Sequence, residues 1–402
     1  MVFHGRLGAD AFILSLKPAS FVISADDRYI VAWDRAGRLY SIVRDDRTFR
    51  RGLNGRILEK WQDERGRHKR WPSGAAADAV IDEAAALPRR VSDAIRHLTW
   101  RWTESPETSS LDELLGALDL AARFDGHAAA RDAGHFARVY RPIGILPPDQ
   151  YLSLVLQATE GCSFGSCTFC ALYDQPYRVK EVAEFTRHIS EVRDYLGASL
   201  ALRGRSIFLG AANALAVPMP RLVPLFDVMG RELDARRLGV YGFVDGFTGA
   251  RKLAADYRAL AELGLRRVYI GLESGHDPLL EFVKKPGLSA NAIETVRAVK
   301  AAGVSVGVIV MIGLGGDRFE AGHVGDTAAA LNAMDLGAGD LVYFSDLVEV
   351  PGTEYPVLAA ERSIRPMTST EREAERQSIR RKLSFSGEPP QMATYDVLEF
   401  VY

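Results

Sequence analysis

The chain is 402 residues long, 47% hydrophobic and 25% charged, with a formal net charge of −2. That length supports one large α/β domain with a smaller companion, and the near-neutral charge removes any global attraction to nucleic acid or an anionic membrane. No apolar run reaches the roughly 18 residues of a membrane-spanning helix, and the stretch Ala11 to Leu16, broken by Lys17, lacks the form of a secretory signal, so a cytoplasmic protein is expected.

The first quarter holds all five tryptophans: Trp33, Trp61, Trp71, Trp100 and Trp102. Between Phe21 and Val43, strand-like runs (FVIS, YIVAW, RLYSIV) alternate with the turn pairs Asp26-Asp27 and Ala36-Gly37, which predicts a small antiparallel meander. Residues 1–104 carry 19 Lys and Arg against 14 Asp and Glu, most densely over Arg44 to Arg70. There the basic residues interleave with Phe49, Trp61 and Trp71, a pattern suited to phosphate contacts and base stacking. Acids are interspersed, so a solvated mixed-charge face is favoured over nucleic-acid binding. Helices are predicted over 75–98 and 110–140, with a loop at Trp102 to Ser110. Residues 1–145 are read as an N-terminal extension of meander plus helices, whose residues point to no function.

From Tyr151 the pattern changes. Apolar runs at 151–157, 206–210, 240–244, 267–272, 304–313 and 341–347 alternate with helical stretches at 181–196, 220–237, 250–263, 276–285 with 289–302, and 320–336. Six strands separated by helices predict a parallel sheet with right-handed crossovers. Their near-continuous apolar character predicts helices covering the sheet. Residues 357–402 read as a tail: a charged helix from Ser369 to Leu383, Pro389-Pro390, and the apolar end Val397 to Tyr402.

The three cysteines, Cys162, Cys167 and Cys170, follow strand one with the spacing C-x4-C-x2-C. An odd, clustered set is not a disulfide framework. In parallel α/β sheets, ligands bind at the C-terminal ends of strands, where this loop lies. Three thiolates do not close a tetrahedral zinc site without a fourth ligand, commonly His, and neither His188 nor His135 has the local spacing of a zinc knuckle. On an iron–sulfur cubane, three thiolates leave one iron open to a substrate or cofactor.

The segment Gly161 to Cys170 resembles the cluster loop of the radical S-adenosylmethionine (radical SAM) superfamily, with four residues rather than the commoner three between the first two cysteines. The resemblance covers about residues 150–356 and implies a partial (β/α)6 TIM-like barrel over 146–356, with an N-terminal α+β extension and a C-terminal helical tail. It implies a [4Fe–4S] cluster on Cys162, Cys167 and Cys170, S-adenosylmethionine cleaved to a 5′-deoxyadenosyl radical, and an electron donor such as flavodoxin or ferredoxin. By the same resemblance Phe169 lies beside the adenine, and Gly210 keeps the first glycine of a Gly-Gly-Glu turn with Asn213 as its polar contact. Glu273 and Ser274 face ribose hydroxyls or an ammonium, and Val308 to Met311 flank the adenine. The stretch Val350-Pro351-Gly352-Thr353-Glu354-Tyr355 resembles the Pro-Gly-Thr turn of the elongator and methylthiotransferase-type branch.

The turn Gly313-Leu314-Gly315-Gly316 lacks the Lys-Ser/Thr of a phosphate loop and reads as a barrel-top turn near the methionine moiety. His276 is a candidate acid/base group. Tyr343, Ser345, Asp346 and Glu349 are candidate cavity residues, with Tyr343 and Ser345 on one face of their strand. With all three cysteines committed, none remains for an auxiliary cluster, which excludes methylthiolation by a sacrificial cluster. Hydrogen abstraction followed by rearrangement, elimination, epimerisation, or methylation through another cofactor stays open. No catalytic residue and no substrate are assigned. The rival reading is a zinc-stabilised, non-catalytic protein that binds RNA or a protein partner.

Overall fold

The computed structural model describes every residue except Asp27, Arg65, Asp174 and Pro351. It divides into two units: Met1–Pro142 with Ser190–Arg205 and Val401–Tyr402, and Ile143–Ile189 with Ser206–Phe400.

The first unit is built on a nine-stranded antiparallel sheet. The predicted meander forms its centre: Ser20–Ala25, Tyr29–Asp34 and Leu39–Arg44. Two strands precede it, Val2–Leu7 and Asp10–Leu16, three follow, Arg47–Arg51, Ile57–Asp63 and Gly66–Arg70, and the ninth, Arg101–Trp102, pairs with Val2–Leu7. One face is apolar at every second residue (Phe12, Leu14, Leu16; Phe21, Ile23; Val31, Trp33) and packs on the helices Ala75–Arg96 and Thr108–Ala122 through Ile81, Leu87, Val91, Leu114 and Leu118. The predicted helix 110–140 is two helices, the second being Gly126–Val139.

The Arg-rich segment Arg44 to Arg70 is therefore sheet, and its aromatic side chains are used within the unit. Phe49 is in the core. Trp61 stacks on His68 at 5.2 Å between ring centres, with the Arg47 guanidinium 4.8 Å above it, and Arg56 lies 3.9 Å over Trp71. Glu59 is fully buried between Arg47 and Arg70, whose charges outweigh its burial and hold its carboxyl below the usual range. The segment thus carries mixed charge, with its rings in contact with neighbours inside the unit.

The second unit carries seven parallel strands in sequential order: Leu154–Gln157, Ile207–Gly210, Val240–Val244, Leu265–Glu273, Ser305–Ile312, Leu341–Asp346 and Gln391–Tyr395. The first six are those read from the apolar runs. The seventh lies in the stretch read as a helical tail, after the helix Ser369–Arg381, and pairs Leu341↔Gln391 through Ser345↔Tyr395. Near the N-terminal ends of strands four and six, Asp149 accepts hydrogen bonds from Arg267 (3.0 Å), Tyr269 (2.5 Å) and Tyr343 (2.8 Å). Phe208 packs tilted and Phe243 edge-on against Tyr269, at 6.1 and 5.9 Å between ring centres. This polar cluster and its aromatic layer form a floor, so the open end of the barrel is the C-terminal one.

Glu375, on the helix Ser369–Arg381, is fully buried. Its Oε2 accepts the Gly313 N–H at 2.6 Å, and its Oε1 has no hydrogen-bond partner among the described residues. Burial raises its carboxyl to about 7 despite the Gly313 bond. The folded value lies above the unfolded one, so its neutral form stabilises fully below the unfolded value, and this is lost as pH rises through about 7. Glu375→Gln should then raise the melting temperature at pH 8 and leave it nearly unchanged at pH 5. The gain at pH 8 is on the order of 3 kcal/mol. Identical melting curves at pH 8 would refute the strain at this carboxylate.

Candidate cofactor site

A two-stranded ribbon, Thr159–Glu160 with Arg178–Val179, ties together the two ends of the cysteine loop. Gly161 enters the loop at φ +66, and a Cβ there would stand 2.2 Å from the Gln175 carbonyl oxygen, so only glycine fits. The loop is also held at its tip. The Thr168 N–H donates to the Val283 carbonyl (3.0 Å), Ser166 Oγ donates to the Lys284 carbonyl (3.0 Å), and the Tyr355 N–H donates to the Thr168 carbonyl (3.0 Å).

These anchors place Cys162, Cys167 and Cys170 in the wall of one cavity of about 210 Å³ at the C-terminal ends of the strands. All three are free thiols. Burial pushes the Cys167 thiol up to about 11 against the pull of Lys285, and burial also raises Cys170. Among the described residues no three of His, Cys, Asp and Glu gather as ligands of a single ion. The histidines weighed as a fourth zinc ligand have other contacts: His188 Nε2 accepts the Gln157 N–H at 3.1 Å, and His135 packs edge-on against Tyr195.

The cavity has an apolar and a polar side. Phe169, Ile309 and Met311 form much of the apolar one. Phe169 and Met311 also pack on the buried cluster of Leu279, Val283, Leu314 and Tyr355. On the polar side, Asn213 and Asp245 are doubly joined: Asn213 Nδ2 donates to Asp245 Oδ2 (2.5 Å), and the Asp245 N–H donates to Asn213 Oδ1 (2.6 Å). Asn213 Nδ2 also donates to Ser163 Oγ (2.8 Å), which couples the cysteine loop to the end of strand three.

Opposite lies a buried ion pair. Glu273 Oε1 is 3.5 Å from Lys285 Nζ, with side-chain exposures of 12% and 15%. Burial opposes the Lys285 charge, but Glu273 and Cys167 outweigh it and raise the ammonium above its ordinary value. A bulge at Leu272 shifts the register, and Glu273 takes φ +61. Its carboxylate folds back over Gly271, where a Cβ would meet Glu273 Oε1 at 2.3 Å. Glu273 Oε2 and Ser345 Oγ are buried with no hydrogen-bond partner among the described residues, and both residues line the cavity.

Of the residues singled out from sequence, Phe169, Asn213, Glu273, Met311 and Ser345 meet the cysteines at this cavity. Gly210 ends strand two with its carbonyl bonded to the Ala158 N–H (2.8 Å), and Ala212 and Asn213 reach the cavity instead. Ser274 is turned away by the positive φ of Glu273; it is fully buried, and its Oγ contacts His323 Nδ1 at 2.8 Å. Val308 has the wrong parity: strand five presents Ile309 and Met311 to the cavity, whereas Val308 is fully buried. His276 Nδ1 contacts the Asp326 carboxylate at 2.7 Å. Tyr343 belongs to the floor, and Asp346 pairs with Arg376 at 2.5 Å. Gly313 and Glu349 line a second cavity of about 190 Å³ with Tyr355 and Arg372, so the glycine turn serves that one. In the Pro-Gly-Thr turn, Pro351 lies outside the described residues, and Thr353 Oγ1 donates to the Val350 carbonyl at 2.7 Å. Lys285, Asp245 and Tyr395 line the cavity and escaped the sequence reading. Asp245 carried a legible signal, an acid at a strand's C-terminal end.

Residues 156–321 match the family model described as Radical SAM superfamily. The chain carries a radical SAM domain. Such domains belong to enzymes whose cofactors are a [4Fe–4S] cluster and S-adenosylmethionine, and the matched span includes all three cysteines. No curated protein matches the sequence. Among solved structures, the chain is similar to the cobalamin-dependent S-adenosylmethionine radical enzyme OxsB (15% identity, TM-score 0.36, covering 57% of this chain and 31% of that one). It is also similar to the radical S-adenosylmethionine methyltransferase TsrM from Kitasatospora setae, with cobalamin and a [4Fe–4S] cluster bound (18%, 0.42, 56% and 41%). A third is methylornithine synthase PylB (15%, 0.41, 67% and 76%). The chain spans about a third of the length of OxsB.

Proposed function

We propose that the chain is a radical SAM enzyme. It holds a single [4Fe–4S] cluster on Cys162, Cys167 and Cys170 and binds S-adenosylmethionine beside it in the same cavity. The observation that carries this reading is the meeting of three free thiols, a buried ion pair and two orphaned polar atoms around one cavity with an apolar side. Thiols spread along a wall suit a multi-iron cluster better than a point ion. When bound, the cluster supplies the electron that cleaves the sulfonium to a 5′-deoxyadenosyl radical.

The chain's own residues bind and shield. The Lys285 ammonium is the complement of the amino-acid carboxylate, in the one-charge manner of lysine. Glu273 Oε2 and Ser345 Oγ are free to accept from an ammonium or hydroxyl, which relieves the cost of burying them unpaired. Phe169, Ile309 and Met311 offer the flat apolar wall an adenine requires. The Asp149 cluster ties the other end of the sheet together through Tyr269 and Tyr343. A flavodoxin- or ferredoxin-type protein supplies the electron, and the need for reduced thiols suits a cytoplasmic setting. Residues 146–356 form the catalytic barrel, 1–145 an accessory unit, and 357–402 complete the cavity wall through Tyr395 and Val397.

The test is anaerobic reconstitution with iron and sulfide, followed by assay of 5′-deoxyadenosine with a reductant. Visible charge-transfer absorption and reductant-dependent product are expected. A colourless protein holding one tight zinc would overturn the reading. Gly271→Ala gives a finer check, because the new methyl displaces the Glu273 carboxylate. S-adenosylmethionine binding, measured by equilibrium dialysis, should weaken by about tenfold, the value of one charge-assisted hydrogen bond. Unchanged affinity would remove Glu273 from the site.

A further inference from the structure

The first unit contains a cleft that the radical chemistry does not use. It is an open cavity of about 660 Å³ lined by Arg89, Arg96, Arg123, Arg131, Asp119 and Asp125. Four guanidiniums face two carboxylates, and both carboxylates are engaged. Asp119 Oδ2 accepts from Arg96 at 2.7 Å, and Asp125 Oδ1 accepts the Ala128 N–H at 2.8 Å as the cap of Gly126–Val139. Arg89 donates to the Ala122 carbonyl at 2.9 Å, which leaves its other donors available. Arg123 has no acidic partner among the described ion pairs and Arg131 meets Asp125 only through space, whereas Arg35, Arg38, Arg44, Arg47, Arg51 and Arg70 of the same unit are all in direct ion pairs.

Four guanidiniums against two carboxylates leave the concavity with an excess of positive charge that an anion would complete. We propose that this cleft binds a diphosphate group carried by a small molecule. Guanidinium forks match phosphate oxygens two at a time. None of the described lining residues is aromatic, so the cleft offers phosphate contacts without the stacking platform that single-stranded nucleic acid uses. The site stands independently of the cluster and of S-adenosylmethionine.

The test is calorimetric titration of the full chain at physiological salt with inorganic pyrophosphate and, in a second arm, ADP. Arg123→Gln/Arg131→Gln is compared with wild type; both side chains are at the surface, and circular dichroism confirms that the variant folds. Saturable binding of pyrophosphate, at least about tenfold weaker in the double variant, is expected from the loss of two charge-assisted contacts. Equal affinity for both titrants assigns the site to the diphosphate alone, and tighter ADP assigns it to a nucleotide diphosphate. Absence of binding by wild type, or equal binding by the double variant, overturns the proposal. So does a single-stranded RNA that binds through these arginines when neither diphosphate does.

Discussion

Cys167→Ala should yield a folded protein that retains no iron–sulfur cluster. Cys167 sits in the cavity wall on a loop that is anchored by backbone bonds of Thr168 and Tyr355, and none of these depends on the thiol. The apo variant should therefore melt within about 1 kcal/mol of the apo wild type, as expected for a change away from the core. Reconstitution is where the loss appears. The proposed cluster would have three thiolate ligands, and the sequence offers no fourth cysteine. Loss of an outer hydrogen-bond partner already costs a metal site some 10–100-fold, so loss of a ligand should cut 5′-deoxyadenosine formation by more than about a hundredfold. Iron analysis and the visible spectrum check this directly. A variant that keeps its visible absorption would remove Cys167 from the ligand set.

Lys285→Met should be the most destabilising single change at the site. It strands the Glu273 carboxylate in a pocket where one of its oxygens is already unpaired. Breaking a buried pair from one side costs about 3–5 kcal/mol. Adding Glu273→Gln removes the stranded charge, so the double variant should recover most of that loss while S-adenosylmethionine binding stays abolished. Denaturant melts of the four proteins give the coupling energy, and binding is measured separately. If Lys285→Met alone melts with wild type, the pair carries no coupling. If the double variant binds the cofactor normally, neither residue contacts it.

The parallel core of the second unit was legible because its strands are buried on both faces. Runs such as VSVGVIVMIG need no partner to be recognised. The site was legible where chemistry is rare, in three clustered cysteines. It was opaque where local geometry departs from alternation. The positive φ at Glu273 turns Ser274 out of the cavity, which period two does not foresee. Lys285 was hidden because 276–285 reads as one helix, whereas the helix is Asp277–Phe282 and Lys284 turns at φ +53, swinging Lys285 to the cavity. In the first unit, Arg47–Arg51 and Ile57–Asp63 read as a basic run because long arginine stems, rather than aliphatic side chains, cover the rings on the inner face. The seventh strand, QMATY, presents only Tyr395 to the interior, so it carries no apolar run.

That edge strand has a consequence for how the protein is made. Tyr395 and Val397 complete the wall around the thiols, and Tyr395 is pinned by its hydroxyl to the Leu146 carbonyl at 3.2 Å. Translation delivers the cysteine loop early and this wall late. Until residues 391–397 are made, the cavity that holds the three thiols lacks this part of its wall. On the proposed function, a cluster would load from that side before the seventh strand pairs and narrows the way in.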